Sequence, residues 1–191
     1  MALQVLSTKA GEMVSHLRQL MGQGQDHISP INPDQALQAI LPILQGEAQQ
    51  RGISLTYHAQ LPESPCVMAN AVMLQRIVLN TVGNALDALQ HHAGAEKSVR
   101  IVLNPERHEQ GKGLVLSIED TGPGFEDDIL SQLNSPIQTS KPKGMGLGLL
   151  LMQTMVRMWG GHTHIGNRAR HLGTGGLIQI WLRSAATEDS F

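Results

Sequence analysis

The chain has 191 residues, of which 41% are hydrophobic and 16% charged, and its formal net charge is −2. This composition predicts one main folded domain, and the near-neutral charge excludes a basic surface for nucleic acid or for an anionic membrane. The single cysteine, Cys66, excludes an internal disulfide and suits a reducing cytosol, and no run reaches the roughly 18 apolar residues that a membrane-spanning helix needs.

The first 50 residues predict two helices. Residues 5 to 21 carry apolar side chains near helical spacing, and Gly22 and Gly24 end the pattern. A second helix is predicted from Pro33 to Gln50, with Asn32 as its N-cap. Pro42 lies inside this segment, so we expect a kink or an early break there.

Two short strands are predicted next. Residues 53 to 59 alternate between apolar and polar side chains as a strand does, and Leu61 to Pro65 form a loop. The segment from Cys66 to Met68 predicts a short edge strand.

The segment from Asn70 to His92 predicts a helix that is apolar over most of its circumference and carries one polar stripe. Such a helix is buried, so the stripe faces either a specific ligand or a narrow strip of water. Solvated faces favour Lys and Glu, whereas Asn and Asp are poor helix formers, which indicates that the two asparagines are placed for coordination. Within a sector of about 80° lie Arg76, Asn80, Asn84, Asp87 and His91.

A hairpin is predicted after this helix. Residues 99 to 104 and 114 to 119 alternate as strands, and Pro105 to Gly113 predict a polar loop at the hairpin tip. The second strand runs into Asp120, Gly122 and Gly124. This motif is either only a turn or a place where backbone approaches a flat ligand while the Asp120 carboxylate accepts a hydrogen bond from it.

A second glycine motif precedes the last helix. Gly144, Gly146 and Gly148 alternate and run into an apolar helical pattern, and Lys141 lies just upstream. The motif indicates either a tight packing contact or a phosphate site made from the N–H groups of a helix N-terminus. The remaining predicted elements are a short helix at 126 to 133, a loop at 134 to 143, a helix that ends at Gly160 and Gly161, strands at 162 to 166 and 177 to 182, and a frayed tail at 184 to 191.

Three motifs thus stand in order: Asn80-x-x-x-Asn84-Ala-x-Asp87, Asp120-x-Gly122-x-Gly124 and Gly144-x-Gly146-x-Gly148. Their order and spacing resemble the N, G1 and G2 boxes of the ATP-binding domain of two-component sensor histidine kinases. The resemblance covers residues 32 to 183. It implies an α/β two-layer sandwich of the Bergerat type, with a mixed, mainly antiparallel sheet carrying three helices on one face, and with ATP and Mg²⁺ as cofactors.

The resemblance also implies a role for each motif residue. Asp120 would accept the adenine amine, while Gly122 and Gly124 would let the base approach. Asn84 would hold Mg²⁺ and Asn80 would contact phosphate or the metal's water shell, whereas Asp87 is either a nucleotide contact or structural. Backbone N–H groups of Gly144, Met145, Gly146, Leu147 and Gly148 would bind the phosphates, and Lys141 would contact the γ-phosphate.

Two features bear on the reaction. Related ATPases carry a water-activating Glu where this chain has Asn80, and an amide cannot accept a proton at neutral pH, which favours phosphoryl transfer over hydrolysis. The family's acceptor is a His followed by an acidic residue, which neither His16 nor His27 matches. The acceptor is therefore expected upstream or on another chain, with residues 1 to 24 as the tail of a dimerisation helix.

The partners implied are the phosphoacceptor and dimerisation domain, a response regulator and a second copy in the full-length protein. The domain is expected in the cytoplasm, and anchoring of a longer parent protein in the inner membrane stays open. Two alternatives also stay open: a non-catalytic ATP-binding regulatory module, and a serine kinase of the anti-sigma type with the same fold. The lid would lack its usual aromatic residue, since Ile137 stands in that region.

Overall fold

The computed structural model describes residues 27–61, 65–92, 96–109, 111–133, 146–169 and 173–185. Within these ranges no helix is long and apolar enough to cross a membrane. The helices are α1 (Pro33–Gln38), α2 (Leu41–Gln50), α3 (Ala71–Gln90), α4 (Asp127–Leu133) and α5 (Gly146–Met158). The strands are β1 (Ser29–Ile31), β2 (Ser54–Ala59), β3 (Val67–Ala69), β4 (Ser98–His108), β5 (Gly111–Asp120), β6 (His162–Asn167) and β7 (Gly176–Arg183).

One mixed sheet of five strands forms the first layer, in the order β2-β4-β5-β7-β6. Only the pairing of β2 with β4 is parallel, and the other three pairings are antiparallel. Because side chains alternate across a strand, one face of the sheet is apolar and buried. Its central residues are Val99, Ile101, Leu103, Leu114, Leu116, Ile118, Ile178, Ile180 and Leu182.

The second layer consists of helices on this apolar face. Helix α2 packs on β2, α3 on β4 and β5, and α5 on β6 and β7. The sandwich, the mixed sheet and the three helical segments on one face agree with the predicted fold class. Helix α3 begins where predicted, since the Oδ1 atom of Asn70 accepts a hydrogen bond from the N–H of Met73 at 2.9 Å.

The predicted break at Pro42 is confirmed. Helix α1 ends at Gln38, and α2 begins at Leu41 with Pro42 in its first turn. N–H groups of the first turn have no intrahelical acceptor, so proline, which has no N–H, removes no hydrogen bond there. The Asn32 cap is also confirmed, because its Oδ1 atom accepts from the N–H of Gln35 at 3.2 Å.

The hairpin is longer than predicted, so the prediction of a loop from Pro105 to Gly113 is wrong. Strand β4 runs to His108 and β5 begins at Gly111. The N–H of Gln60 donates to the carbonyl of Leu103, after which β2 no longer pairs with β4. Two residues further on, Pro105 therefore turns its nitrogen toward an open edge and removes no hydrogen bond from the sheet.

A small second sheet joins the two ends of the fold. Strand β1 pairs antiparallel with β3. The sequence does not predict this strand, because Ser29-Pro30 is typical of a break between elements. Val67 of β3 pairs with Ile31 on one side and forms a bridge with Ser184 on the other. The predicted edge strand at Cys66 to Met68 therefore exists, one residue further along, as one of the two strands of this small sheet.

The described structure extends past both predicted bounds of the main domain. Strand β1 lies before residue 32, and the prediction of a frayed tail is wrong for Ser184 and Ala185, because the N–H of Ala185 donates to the carbonyl of Cys66. The predicted helix at 5 to 21, the loop at 134 to 143 and residues 186 to 191 lie outside the described residues.

On the opposite face of the sheet an aromatic cluster crosses β5. The rings of His162 and Trp181 stack with centroids 4.8 Å apart, and His108 lies 3.9 Å from His162. The indole crosses β5 at Gly113, where a Cβ would stand 2.5 Å from the ring atom Cε2. The absence of a side chain at position 113 is therefore what allows the indole to lie flat on the sheet.

Candidate functional site

The polar stripe of α3 lies away from the core, as predicted. Asn80 and Asp87 are exposed and Asn84 is half-buried. The opposite side of the helix is buried against the sheet by Leu74, Ile77, Val78, Thr81, Val82, Ala85, Leu86 and Leu89. Packing of the apolar side therefore fixes the direction in which the two carboxamides point.

The first turn of α5 lies against this stripe. A Cβ built on Gly148 would stand 2.7 Å from the Nδ2 atom of Asn80. The fold thus brings the first and third motifs together, and the missing side chain at position 148 gives the carboxamide its space. The backbones of Gly146 and Leu147 form the start of this helix, whereas Lys141, Gly144 and Met145 lie outside the described residues.

Asp120 ends β5 and is held by backbone groups. Its Oδ1 atom accepts from the N–H of Gly122 at 2.7 Å and from the N–H of Gly176 at 3.2 Å. Its other oxygen, Oδ2, faces the space above Gly176, where a Cβ would stand 2.7 Å away. One carboxylate oxygen is thus occupied by the protein, and the other lies beside a position without a side chain.

Burial raises the pKa of the Asp120 carboxyl above its ordinary value. The N–H groups of Gly122 and Gly176 and the charges of Arg168 and His92 act in the opposite direction but do not cancel the effect of burial. A partly desolvated carboxylate of this kind gains from a ligand that donates a hydrogen bond to it.

The loop after Asp120 packs on the end of α3. A Cβ on Gly122 would stand 3.7 Å from a methyl carbon of Leu89. Gly124 has a φ of +79°, a conformation that L side chains rarely adopt, and a Cβ there would stand 2.6 Å from the Oδ1 atom of Asn167. The close contact at Gly122 is with the Oδ1 atom of Asp120, which would stand 2.8 Å from a Cβ there, so a side chain at either glycine of the second motif would disturb the loop.

The turn between β6 and β7 forms another wall, which sequence analysis missed. Gly175 has a φ of +144°, and a Cβ on it would collide with the carbonyl oxygen of Asp120. Asn167 binds the loop after Asp120 through both polar atoms of its carboxamide. The signal that the sequence offers is the density of glycines at positions 173, 175 and 176.

Asp87 has a partner on a different helix. Its Oδ1 atom accepts a hydrogen bond from Arg51 at 2.5 Å, and Arg51 also binds Glu47 at 2.5 Å. These contacts connect the end of α2 to the last turns of α3. Of the two roles left open for Asp87, the geometry favours the structural one, and a nucleotide contact stays a prediction.

Together these contacts define a site along α3. The Gly148 end of α5 lies at Asn80 on the polar stripe, whereas the Gly122 loop lies near Leu89, on the sheet-facing side close to the C-terminal end of the helix. Asn84 lies between these two levels along the helix axis. At about 1.5 Å per residue, Asn80 and Leu89 are roughly 13 Å apart along the axis. The site offers amides and a helix N-terminus at one end, which suit an anion, and a carboxylate at the other, which suits a hydrogen-bond donor.

Curated relatives include sensor proteins of bacteria. The chain is 27% identical over 180 residues to the C4-dicarboxylate transport sensor protein DctB of Pseudomonas aeruginosa, which covers 93% of this chain and 28% of that protein. It is also 27% identical over 184 residues to the sensor histidine kinase ZraS of Escherichia coli K12, and this match covers 94% of this chain and 37% of ZraS. The chain thus spans well under half the length of these relatives.

Solved structures share the fold. The catalytic domain of the histidine kinase ThkA matches with a TM-score of 0.63 and 18% identity, over 83% of this chain and 96% of that one. Full-length ShkA in complex with AMPPNP matches with a TM-score of 0.61 and 23% identity, over 92% of this chain and 35% of the ShkA chain.

The family model described as "Histidine kinase-, DNA gyrase B-, and HSP90-like ATPase" matches residues 69–186. This range is more than half of the chain and contains α3, Asp120 and the start of α5. The chain belongs to the histidine kinase-, DNA gyrase B- and HSP90-like ATPase family.

Proposed function

We propose that this chain is the ATP-binding catalytic domain of a two-component sensor histidine kinase. It transfers the γ-phosphoryl group of ATP to a histidine of a dimerisation domain, for relay to a response regulator. The observation that carries this proposal is the contact between Asn80 and Gly148, because it brings the Asn80 carboxamide of α3 close to the start of α5. The relatives named as sensor proteins and sensor histidine kinases support the same function.

The base is proposed to lie beside Asp120. The Oδ2 atom of this carboxylate would accept a hydrogen bond from the adenine amine, because Oδ1 already accepts from Gly122 and Gly176. Gly122 and Gly124 present backbone without side chains in the loop that follows this carboxylate. A guanine would place a carbonyl oxygen against the carboxylate, so the site favours adenine.

The phosphates are proposed to lie between α3 and α5. The half-buried amide of Asn84 offers a neutral oxygen ligand, which fits Mg²⁺ because this ion prefers oxygen and keeps several waters. When bound, Mg²⁺ neutralises phosphate charge. Asn80 would contact phosphate or the metal's water shell, N–H groups of Gly144, Met145, Gly146, Leu147 and Gly148 would bind phosphate oxygens, and Lys141 would contact the γ-phosphate.

Asn80 supports transfer rather than hydrolysis. A carboxamide cannot take a proton from water at neutral pH, so the exposed side chain at position 80 can position ATP without activating water. The ATP would then persist until an acceptor side chain reaches it. Catalysis would rest on positioning and charge neutralisation, with Asn80, Asn84 and Lys141 as the catalytic groups.

The partners follow from the same proposal. The phosphoacceptor domain lies upstream in a longer parent protein or on a separate chain, and the full-length kinase is a homodimer. The domain acts in the cytoplasm.

Nucleotide binding tests the site assignment. Calorimetric titration of the chain with ADP and with AMPPNP, each with and without Mg²⁺, is expected to show magnesium-dependent binding. Asn84→Asp should change the Mg²⁺ dependence, and Asp120→Asn should weaken both nucleotides. Unchanged affinity in both variants, with the fold intact by circular dichroism, would refute the site.

Phosphoryl transfer tests the activity. The chain is mixed with the dimerisation domain of a related kinase and radiolabelled ATP, and the labelled product is treated with acid. An acid-labile product supports a histidine kinase, because phosphohistidine is lost in acid. An acid-stable product would instead indicate a serine kinase. Nucleotide binding without any transfer would indicate a regulatory module, and rapid ADP release in the absence of an acceptor would indicate a hydrolase.

A further inference from the structure

Asn167, the last residue of β6, binds a single residue of the loop that follows Asp120. Its Oδ1 atom accepts a hydrogen bond from the N–H of Phe125 at 2.6 Å, and its Nδ2 atom donates to the carbonyl of Phe125 at 2.9 Å. One carboxamide thus satisfies both polar backbone groups of a residue 42 positions away, as a neighbouring strand would.

This contact closes one end of the loop, and Asp120 closes the other. At the Asp120 end the carboxylate holds the N–H of Gly122 at 2.7 Å. Between the two contacts the chain turns through Gly124, where a Cβ would stand 2.6 Å from Oδ1 of Asn167. The positive φ of Gly124 and its missing side chain are therefore both needed for Asn167 to reach Phe125.

The held residue borders the Asp120 carboxylate. A Cβ built on Gly176 would stand 2.7 Å from Oδ2 of Asp120 and 3.0 Å from Cε2 of Phe125. The Phe125 ring and the Oδ2 atom of Asp120 thus lie around the same small space. A shift of the Phe125 backbone would move an apolar ring at the place where the purine amine is proposed to bind.

Asn167 is exposed, and so are its two hydrogen bonds. Exposed hydrogen bonds exchange with water and add little to global stability. Their effect is local, because they decide which conformation the loop populates before a ligand arrives. For a ligand that needs one loop conformation, the apparent Kd equals the intrinsic Kd divided by the fraction of molecules that adopt that conformation.

We propose that Asn167 is a positioning residue that holds the loop from Thr121 to Phe125 in the conformation that admits a purine beside Asp120. This inference rests on the proposed nucleotide site and adds to it a side chain that touches no nucleotide. Asn167 acts through Phe125, so its removal weakens the base end of the site and leaves the phosphate end intact.

The test compares Asn167→Ala with His164→Ala, an exposed side chain on the same strand that makes no described contact with the loop. Titration with ADP and with AMPPNP and Mg²⁺ is expected to show a loss of roughly 3- to 30-fold for Asn167→Ala. The factor should be the same for both nucleotides, because the altered contact lies at the base. His164→Ala should bind both as the parent chain does.

Hydrogen exchange provides a readout that ordinary destabilisation would not give. In the nucleotide-free protein the Phe125 amide should exchange at least several-fold faster in Asn167→Ala, while the Leu116 amide in the centre of β5 is unchanged. If Asn167→Ala does not fold, Asn167→Ser replaces it. The shorter Ser side chain cannot reach both polar backbone groups of Phe125, so weaker binding and faster Phe125 exchange are again expected.

Two results would overturn the inference: faster Phe125 exchange with unchanged affinity, or lost affinity with Phe125 exchange unchanged. Asp120→Asn, measured in parallel, separates this failure from failure of the proposed function. If Asp120→Asn loses binding and Asn167→Ala does not, only the positioning role is wrong. If Asp120→Asn binds as the parent chain does, the nucleotide site itself is misplaced.

Discussion

The carboxamide of Asn80 occupies the space that a side chain at position 148 would need. The Nδ2 atom lies 2.7 Å from where a Cβ of Gly148 would stand, so any larger residue at this position would have to displace the Asn80 carboxamide. The two residues are 68 positions apart in the chain, and their contact connects the stripe of α3 to the N-terminus of α5.

The first prediction concerns Gly148→Ala. The added methyl must displace the exposed Asn80 side chain, which can move, so the fold should survive while nucleotide affinity falls roughly tenfold, as expected for one lost polar contact. Gly46→Ala in α2 is the matched control, because nothing lies within 4 Å of its Cβ. That variant should gain about 0.5–1 kcal/mol in the free energy of unfolding and bind normally. Titration and urea unfolding measure both; equal affinity in the two variants would contradict the contact.

The second prediction is a pH dependence set by Asp120. Its pKa is raised by burial, so mild acid protonates it earlier than an exposed carboxyl and removes the acceptor for a purine amine. Nucleotide affinity should therefore fall as pH is lowered toward this raised pKa. Stability has the opposite sign: the folded state takes up the proton more readily than the unfolded state, so this group stabilises the free protein as pH falls through the folded pKa.

Asp120→Asn should remove both trends. The amide cannot titrate, and its oxygen can still accept from Gly122 and Gly176. Titrations with ADP and thermal melts from neutral to mildly acidic pH check the pair of signs. A parent chain whose affinity does not change over this range would exclude Asp120 as the acceptor.

The third prediction separates the two roles of Asp87. Asp87→Asn breaks the ion pair with Arg51. Because the Asp87 side chain is 69% exposed, the melting temperature should fall only slightly, and the difference from the parent chain should shrink in high salt. ADP affinity should not change. Reduced affinity with unchanged melting would instead make Asp87 a nucleotide contact, and Asn84→Ala provides the reference for a true site variant.

The fourth prediction concerns Tyr57, the only tyrosine of the chain. Burial and the hydrogen bond to Asp34, with its charge, raise the pKa of Tyr57 above its ordinary value of 10.0. The phenol therefore contributes stability below pH 10, which is lost as pH rises because the unfolded state ionises first. Tyrosinate absorbance should rise at higher pH in the folded protein than in urea.

Tyr57→Phe tests the energy of the same contact. It should lower the free energy of unfolding at neutral pH by about 1 kcal/mol and flatten the alkaline decline. An absorbance titration identical in the folded and unfolded states would show that the Tyr57 hydroxyl is not held by Asp34.

The fifth prediction concerns Gly113→Ala on the outer face of the sheet. A Cβ there would stand 2.5 Å from Cε2 of Trp181 and 2.5 Å from the carbonyl oxygen of Leu182, so the indole or the strand must shift. The expected loss is about 1–3 kcal/mol in urea unfolding, accompanied by altered tryptophan fluorescence. Gly46→Ala again serves as the control, and an unchanged midpoint would contradict the packing of the indole on Gly113.

Much of the helical layer could be predicted from the sequence because its signals are local. The apolar period of α3 and its Asn70 cap lie within one segment, and so does the stop after α5, where Gly160 has a φ of +74°. The interruption between α1 and α2 follows from the ring of Pro42 alone. Such features depend on backbone geometry and on neighbours three or four residues away.

The missed features depend on distant partners. Strand β1 has only three residues, one of which is a proline, so its own sequence does not predict a strand. It is extended because it pairs with β3. The end of the β4–β5 hairpin stays in the sheet although it is polar, because the outer face of the sheet accommodates polar side chains. Pro105 fits there because the pairing of β2 with β4 has already ended, so the missing N–H of Pro105 breaks no hydrogen bond. Asn167 resembles any exposed turn residue until Phe125 is placed beside it.

The pairing of Val67 with Ile31 on one side and Ser184 on the other has a topological consequence. The first and last segments that the structure describes therefore lie on the two sides of one three-residue strand, so the ends of the described domain are close together in space. A domain whose ends lie close together can be inserted into a longer polypeptide without separating the segments on either side of it.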